Sequence, residues 1–446
     1  MMSDYSGHFV IRGQDVSQHA MDYASGLLGT ERRKNMEGIH GDIPESNYQA
    51  IQQFISDSPW DHKALMEQVG GEANGILGGH RHSALILDES SFVKKGESSV
   101  GVQRQYCGRL GKTENCQLGV FACLGRGDKA AIVDFRLFLP ESWAQDAERC
   151  KKAQVPEEER KHRSKLELAL DMVKSAKLRA LDFQWVLADS AYGCSNEFCE
   201  ELESMGLKYL MDTSASNQVW DADPKSRLPE RSEQAGRPKS RHEQGNPNSR
   251  KWTVEKLIEA RFDAEARQIE IRKTTQGKLL ARIWVVPIWV WNGKSPIAQR
   301  RTLVAREEED GKIKASWTNA PQGLSWEELA YVQAQRHWIE RAFQDSKSQL
   351  GMAQYEVRKW KGWHHHMAMV SLAMLFVLKE RISHCDSAPL LSPRDIVELL
   401  AFHLPRRGHS EDEVVQDLIR RHTQRIKASE SHARAQRKIP EKSITK

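Results

Sequence analysis

The chain has 446 residues, 39% hydrophobic and 28% charged, which suits two or three domains better than one. Its 66 Lys+Arg against 61 Asp+Glu leave a formal net charge of +5. That excludes a wholly basic packaging protein but not a nucleic-acid enzyme with locally clustered charge. No apolar run is long enough for a spanning helix. The opening MMSDYSGHFVIRGQD lacks the basic start and apolar stretch of a secretory signal. Seven cysteines without a C-x-x-C pair fit neither a disulfide framework nor a four-cysteine zinc site. A reduced, cytoplasmic protein without membrane contact is expected.

Residues 1–78 carry apolar side chains at helical spacing, as in NYQAIQQFISDSPWDHKALMEQV, and predict a helical N-terminal region. The texture then changes at Gly78-Gly79. Ala84-Leu85-Ile86-Leu87-Asp88, Ser99 to Val102, Gln117 to Leu124 and Ala131 to Phe138 read as strands separated by turns, a meander opening a mixed sheet. A helix over 157–177, a buried strand from Asp182 to Asp189, a helix from Asn196 to Met205 and a strand from Lys208 to Met211 continue an α/β pattern through residue 213. Residues 214–325 form a β-rich insertion, with a mobile basic loop at 222–251 and strands over 281–291 and 301–305. One long helix from Trp326 to Leu350 resumes the core. Helices over 363–381 and 393–404 complete a segment ending at 405, and a basic tail occupies 406–446.

Three features bear on chemistry. Gly108-Arg109-Leu110-Gly111-Lys112-Thr113 ends like a phosphate-binding loop, but the first glycine that motif needs is Tyr106, and no helix follows the lysine. It reads as a turn, and no ATP is expected. Asp88 and Asp189 each close an apolar run, and a carboxylate at the end of a buried strand is costly unless paired or bound to a cation. Two of them suggest a shared hard-cation site, since Mg²⁺ takes oxygen ligands. Arg336, Glu340 and Lys347 fall within about 40° of one another on a helix. Beside them, roughly 60° away, runs the apolar stripe Val332, Ile339, Phe343 and Leu350. Alone this would be an ordinary salt-bridged face. With the two aspartates it supplies a third carboxylate for a pair of metal ions, and two cations for phosphate oxygens.

These residues fall into ordered blocks. Asp88-Glu89-Ser90-Ser91-Phe92-Val93-Lys94-Lys95-Gly96 continues through Ser99-Val100-Gly101-Val102 to Arg104-Gln105-Tyr106-Cys107-Gly108. Ala188-Asp189-Ser190-Ala191-Tyr192-Gly193 forms the second block. Arg336-His337-Trp338-Ile339-Glu340 and Lys347-Ser348-Gln349-Leu350-Gly351 form the third. In this the chain resembles the DDE transposases of bacterial insertion sequences, in the group with a Tyr-Arg-Glu-Lys signature and its IS-seven-hundred-one-like branch. One departure stands out: the signature tyrosine falls at Gln333, and Tyr331 lies on another helix face.

The resemblance implies an α/β, RNase H-like catalytic core with a β-rich insertion. It implies metal-dependent cleavage at transposon ends and strand transfer into target DNA. Asp88, Asp189 and Glu340 would be catalytic and would hold two Mg²⁺ ions, with Mn²⁺ able to substitute. Arg336, Lys347, Lys94, Lys95 and Arg104 would contact DNA, and Trp289 or Trp291 would stack on a base. The partners would be double-stranded DNA, both terminal inverted repeats and target, and a second copy of the chain. The rival expectations are a metal-dependent nuclease that only cuts, and a non-catalytic DNA-binding descendant. His364-His365-His366 point in three directions, so DNA-backbone contact or plain packing is expected there before a zinc site.

Overall fold

The structure, a computed structural model, describes residues 2–437 apart from 30–32, 229–240, 275–276, 294, 309, 389, 401, 405 and 409. The centre of the basic loop and the end of the basic tail, 438–446, lie outside the described residues.

A single sheet organises the molecule. Its strands are β1 (Ala84–Val93), β2 (Gln103–Cys107), β3 (Lys112–Arg126), β4 (Lys129–Leu137), β5 (Trp185–Ala188) and β6 (Lys208–Asp212), followed by β7 (Gln218–Trp220), β8 (Lys251–Thr253), β9 (Arg267–Thr274), β10 (Gly277–Val290), β11 (Gln299–Glu307) and β12 (Ile313–Thr318). Their order is β8-β7-β10-β11-β12-β6-β5-β1-β3-β2, with β9 added on β10 and β4 on β3. Only β1, β5 and β6 run parallel; the other pairings are antiparallel. The apolar runs Ala84–Leu87 and Trp185–Ala188 are wholly buried, as parallel strands covered on both faces must be. This meander of β4, β3 and β1 followed by parallel β5 and β6 is the RNase H-like arrangement.

The sheet corrects several expectations. Ser99 to Val102 is a turn, because Gly101 adopts φ +72° and a side chain there would press within 2.9 Å of the Phe138 carbonyl. The strands of the β-rich insertion continue the core sheet, since β12 pairs with β6 through Ser316↔Asp212 and Trp317↔Met211. The base of the basic loop is a short ribbon, Ser226–Arg227 against Glu243–Gln244.

The longer helices are α1 (Ser17–Leu28), α2 (Met36–Asp42), α3 (Tyr48–Ser56), α4 (His62–Leu77), α5 (Lys165–Leu178), α6 (Asn196–Ser204), α7 (Val254–Glu265), α8 (Trp326–Gln335), α9 (His337–Gln349), α10 (Trp360–Ser383), α11 (Pro393–Leu400) and α12 (Glu411–Arg437). Side chains start several of them. Ser164 and Glu167 close a reciprocal capping box on α5, and Ser325 accepts the Glu328 N–H at the head of α8.

Almost every residue from Trp360 to Leu378 is buried, so α10 is an axis packed on all sides. The N-terminal helices share its core. The His364 ring faces the Trp360 carbonyl at 2.9 Å. His365 lies between the carbonyls of Ile55 and Trp60 and stacks 3.8 Å from the Trp60 ring, and His366 meets the Tyr23 hydroxyl at 2.7 Å. Burial holds His365 and His366 down to about 3, so all three histidines act as neutral packing groups. Among the described residues no helix is long and apolar enough to cross a membrane.

The Gly108–Leu110 segment is a short 3₁₀ turn, Gly111 takes φ +62°, and Lys112 enters β3 opposite Cys107. A strand follows the lysine, where a phosphate loop requires a helix.

Candidate active site

The register of the three parallel strands sets the site. Ile86 pairs with Leu187, and Ala188 pairs with Met211. Continued along the strands, that register brings Asp88, Asp189 and Asp212 to one level at the carboxyl end of the parallel segment. Neighbouring strands lie about 4.8 Å apart. Open α/β sheets bind ligands at this end. Asp88 is not a strand terminus, as its sequence suggested: β1 continues to Val93 against β3, and the parallel pairing alone ends before it.

Each carboxylate is held differently. Asp88 Oδ1 accepts the Glu89 N–H at 2.7 Å, and its side chain keeps 15% exposure. Asp189 caps the turn Ser190–Gly193 by accepting the Ala191 N–H at 2.9 Å. That turn sits tightly on β6, because a side chain at Gly193 would lie 2.0 Å from the Asp212 carbonyl. Asp212 accepts the Ser316 hydroxyl at 2.7 Å, and Ser316 accepts from the Gln333 amide at 2.9 Å.

The fourth carboxylate arrives from a broken helix. One long helix was expected over 326–350, but it divides into α8 and α9 at Arg336. A regular helix sets Gln333 and Gln335 about 200° apart, yet both are buried. Gln333 is tied to the Val304 carbonyl and Ser316, and Gln335 to His82 and Gly127. Gripped from two sides, the chain closes i→i+3 contacts around Arg336, with Ile339 N 3.3 Å from the Arg336 carbonyl.

Arg336 thereby reaches the strand ends. Its Nε lies 2.7 Å from Asp212 Oδ2, its Nη2 2.9 Å from Glu340 Oε1 and its Nη1 3.9 Å from Asp88 Oδ2. Burial works against its charge, but Asp212, Glu340, Asp88 and Asp189 together outweigh that and hold it protonated. Burial pushes the Asp88 carboxyl up to about 7 against the pull of Arg336 and the Glu89 N–H, with Asp189 and Glu340 adding to the rise. Glu340, 48% exposed, is held down to about 2 by His337 and then by Arg336 and Lys314.

The other predicted contacts are dispersed. Lys347 Nζ lies 3.5 Å from the Ser91 carbonyl, and burial lowers it to about 8. The Lys94 ammonium turns inward, 3.4 Å over the Tyr355 ring and donating to the Tyr355 carbonyl at 3.0 Å. Lys95 and Arg104 are exposed. Trp289 sits opposite Trp220 on β7, under the Arg300 guanidinium, and the Trp291 indole donates to the Ser295 carbonyl at 2.8 Å. Four strands intervene between β10 and β1, so the sheet spacing alone sets these tryptophans roughly 24 Å from Asp88. Tyr331 packs on His82, 4.6 Å between ring centres, away from the carboxylates.

Sequence reasoning missed Asp212. Its signal was the same as that of the two recognised aspartates, an apolar strand ending in a carboxylate, but the strand was read as stopping at Met211.

The mixed RNase H-like sheet thus brings Asp88, Asp189 and Asp212 to the end of its parallel strands, with Glu340 linked to them through Arg336. The chain belongs to the DDE superfamily endonucleases, whose family model matches residues 11–278. That match spans Asp88 and Asp189 and ends before Glu340. A probable transposase for insertion sequence element IS701 from Microchaete diplosiphon is 29% identical over 198 residues, 44% of this chain and 48% of that protein. The chain thus spans about half the length of the curated relative it matches. The NurA nuclease from Sulfolobus solfataricus aligns over 72% of this chain and 92% of its own at 10% identity, with a TM-score of 0.24 that carries no argument.

Endonucleases of this family use divalent metal ions. The donor set fits one: hard carboxylate oxygens of Asp88, Asp212 and Glu340 converge on the Arg336 guanidinium. Among the described residues no three His, Cys, Asp or Glu side chains are gathered tightly enough to chelate an ion as they stand.

Proposed function

We propose that this endonuclease is a cut-and-paste transposase. It cleaves double-stranded DNA at the terminal inverted repeats of a mobile element and joins the freed 3′-hydroxyls to target DNA. The observation that carries this reading is the contact of one guanidinium, Arg336, with both Asp88 and Glu340, residues from distant blocks of the sequence. The name of the IS701 relative supports it.

Asp88, Asp189 and Glu340 would hold two Mg²⁺ ions, or Mn²⁺ in their place, which lower the pKa of the attacking water or 3′-hydroxyl and offset the charge on the leaving oxygen. Asp88 and Asp189 offer oxygens from adjacent strands of the sheet, so their spacing is fixed by its hydrogen bonding. Glu340 stands on the solvent side, where a phosphodiester arrives. Arg336 and Lys347 hold the non-bridging phosphate oxygens. Lys95 and Arg104, both exposed, track the neighbouring backbone, Lys94 joins them by leaving the Tyr355 ring, and Trp289 and Trp291 stack on bases. Exchange of one phosphodiester for another needs no ATP. The N-terminal helices and basic tail contact the element's ends, and two copies act together in the cytoplasm, on the nucleoid, because two ends must be paired.

The test is a strand-transfer assay with end DNA, Mg²⁺ and a target plasmid. Joined products are expected. Cut products without joined ones would favour the second reading, an endonuclease that only cleaves.

A further inference from the structure

We infer that Asp212 is a positioning residue of this site: it anchors the Arg336 guanidinium so that Asp88 and Glu340 can exchange that cation for divalent metal. The inference rests on the metal-dependent reading above.

Three observations carry it. The first is location, since the register sets Asp212 level with Asp189 at the carboxyl end of the adjoining parallel strand. The turn bearing Gly193 packs closely on the Asp212 backbone carbonyl, which a side chain at Gly193 would meet at 2.0 Å. The second is fixation. Asp212, Ser316 and Gln333 are all buried, and the chain of donors from Gln333 through Ser316 ends on Asp212 Oδ1. Gln333 is itself tied to the Val304 carbonyl at 3.2 Å. The polar side chain at the signature tyrosine's position thus serves to hold Asp212. The third is division of the guanidinium. Its Nε end meets Asp212 at 2.7 Å, while its Nη end faces Glu340 and Asp88.

A direct metal-ligand role fits poorly. Asp212 Oδ1 is committed to Ser316, and Oδ2 faces Arg336, with Lys314 3.9 Å away. The anchoring role has a physical purpose. When Asp88 and Glu340 turn to metal, a buried guanidinium would be left uncompensated, and that is strongly unfavourable. Asp212 keeps it paired, so the exchange proceeds without stranding a charge. Without Asp212 the guanidinium is held only by acids that the metal needs, Asp88 and Glu340 in contact and Asp189 through space.

The test is Mn²⁺ binding to the full chain, read by the paramagnetic signal of free Mn²⁺ without DNA. Asp212→Asn keeps the shape and the acceptor for Ser316 and removes the charge. Its Mn²⁺ dissociation constant should rise about tenfold, the scale on which partners of metal ligands act. In an Arg336→Met background the same Asp212→Asn change should alter Mn²⁺ affinity less than about twofold, because coupled residues are non-additive. Unchanged binding in Asp212→Asn overturns the inference. So does a tenfold loss that persists in the Arg336→Met background, which would make Asp212 act on the metal directly. Asp88→Asn separates the two levels. Lost Mn²⁺ binding there, with full binding in Asp212→Asn, overturns the positioning role alone. Full binding in Asp88→Asn overturns the metal site and the positioning role with it.

Discussion

Two regions of this molecule bury titratable side chains, and they do so in opposite ways. At the junction of the N-terminal helices with α10, His364, His365 and His366 are neutral, and each faces a nearby carbonyl or hydroxyl. At the end of the parallel strands, Asp88, Asp212 and Glu340 share the Arg336 guanidinium, with Lys314 3.9 Å from Asp212 and His337 3.8 Å from Glu340, and burial drives Asp88 up to about 7. Local satisfaction marks the first region as structure. Concentrated, under-compensated charge marks the second as a site for another cation.

The comparison predicts that substitutions divide cleanly between the regions. The largest effect is expected at the carboxylates. Asp88→Asn, Asp189→Asn or Glu340→Gln should lower end cleavage at least about a thousandfold, as loss of a central catalytic group does. Binding of end DNA in a gel-shift assay should persist, because removing a negative charge eases phosphate approach. Cleavage retained in any of the three would erase the distinction.

His365→Ala should do the reverse. It removes a ring stacked on Trp60 and leaves the Ile55 and Trp60 carbonyls facing a void, at about 3 kcal/mol. Urea unfolding should show the loss, with activity per folded molecule unchanged. Lys347→Ala should weaken cleavage by about tenfold, since it removes one contact to the substrate and leaves the carboxylates intact. Single-turnover rates at saturating metal would measure it.

The smallest effect is one of pH. Burial lowers His62 to about 4 and His365 and His366 to about 3, from an ordinary 6.5. The two carbonyls facing His365 pull toward its charged form, but burial and neighbouring His62 prevail. Between 6.5 and about 4 the folded chain binds fewer protons than the unfolded one, so stability falls as pH drops through that window. Denaturant midpoints at pH 7 and pH 5 would show the fall, and His366→Gln should make it shallower.

Much of the site was legible in the sequence because its signals are local. Asp88 and Asp189 follow apolar runs, and the four-residue spacing of Arg336 and Glu340 shares one helix face, as their 2.9 Å contact shows. What could not be read depends on pairing between remote segments. Asp212 enters the site only because β12 lies beside β6 and Ser316 meets it across that pair. The break at Arg336 arises from tethers to His82, Gly127 and Val304, none of them nearby in sequence. That the insertion's strands extend the core sheet was not readable, because they carry no mark of the core strand they join. The histidine run was ambiguous for the same reason, since its partners Tyr23, Ile55 and Trp60 lie three hundred or more residues upstream.

Whether these acids are metal ligands decides the mechanism most directly. Replacing Asp88, Asp189 and Glu340 in turn by cysteine, and assaying cleavage of end DNA with Mg²⁺ and with Mn²⁺, which tolerates sulfur better, addresses that. Each variant should be inert with Mg²⁺ and regain measurable cleavage with Mn²⁺. Full Mg²⁺-dependent cleavage by any one of them would contradict the account.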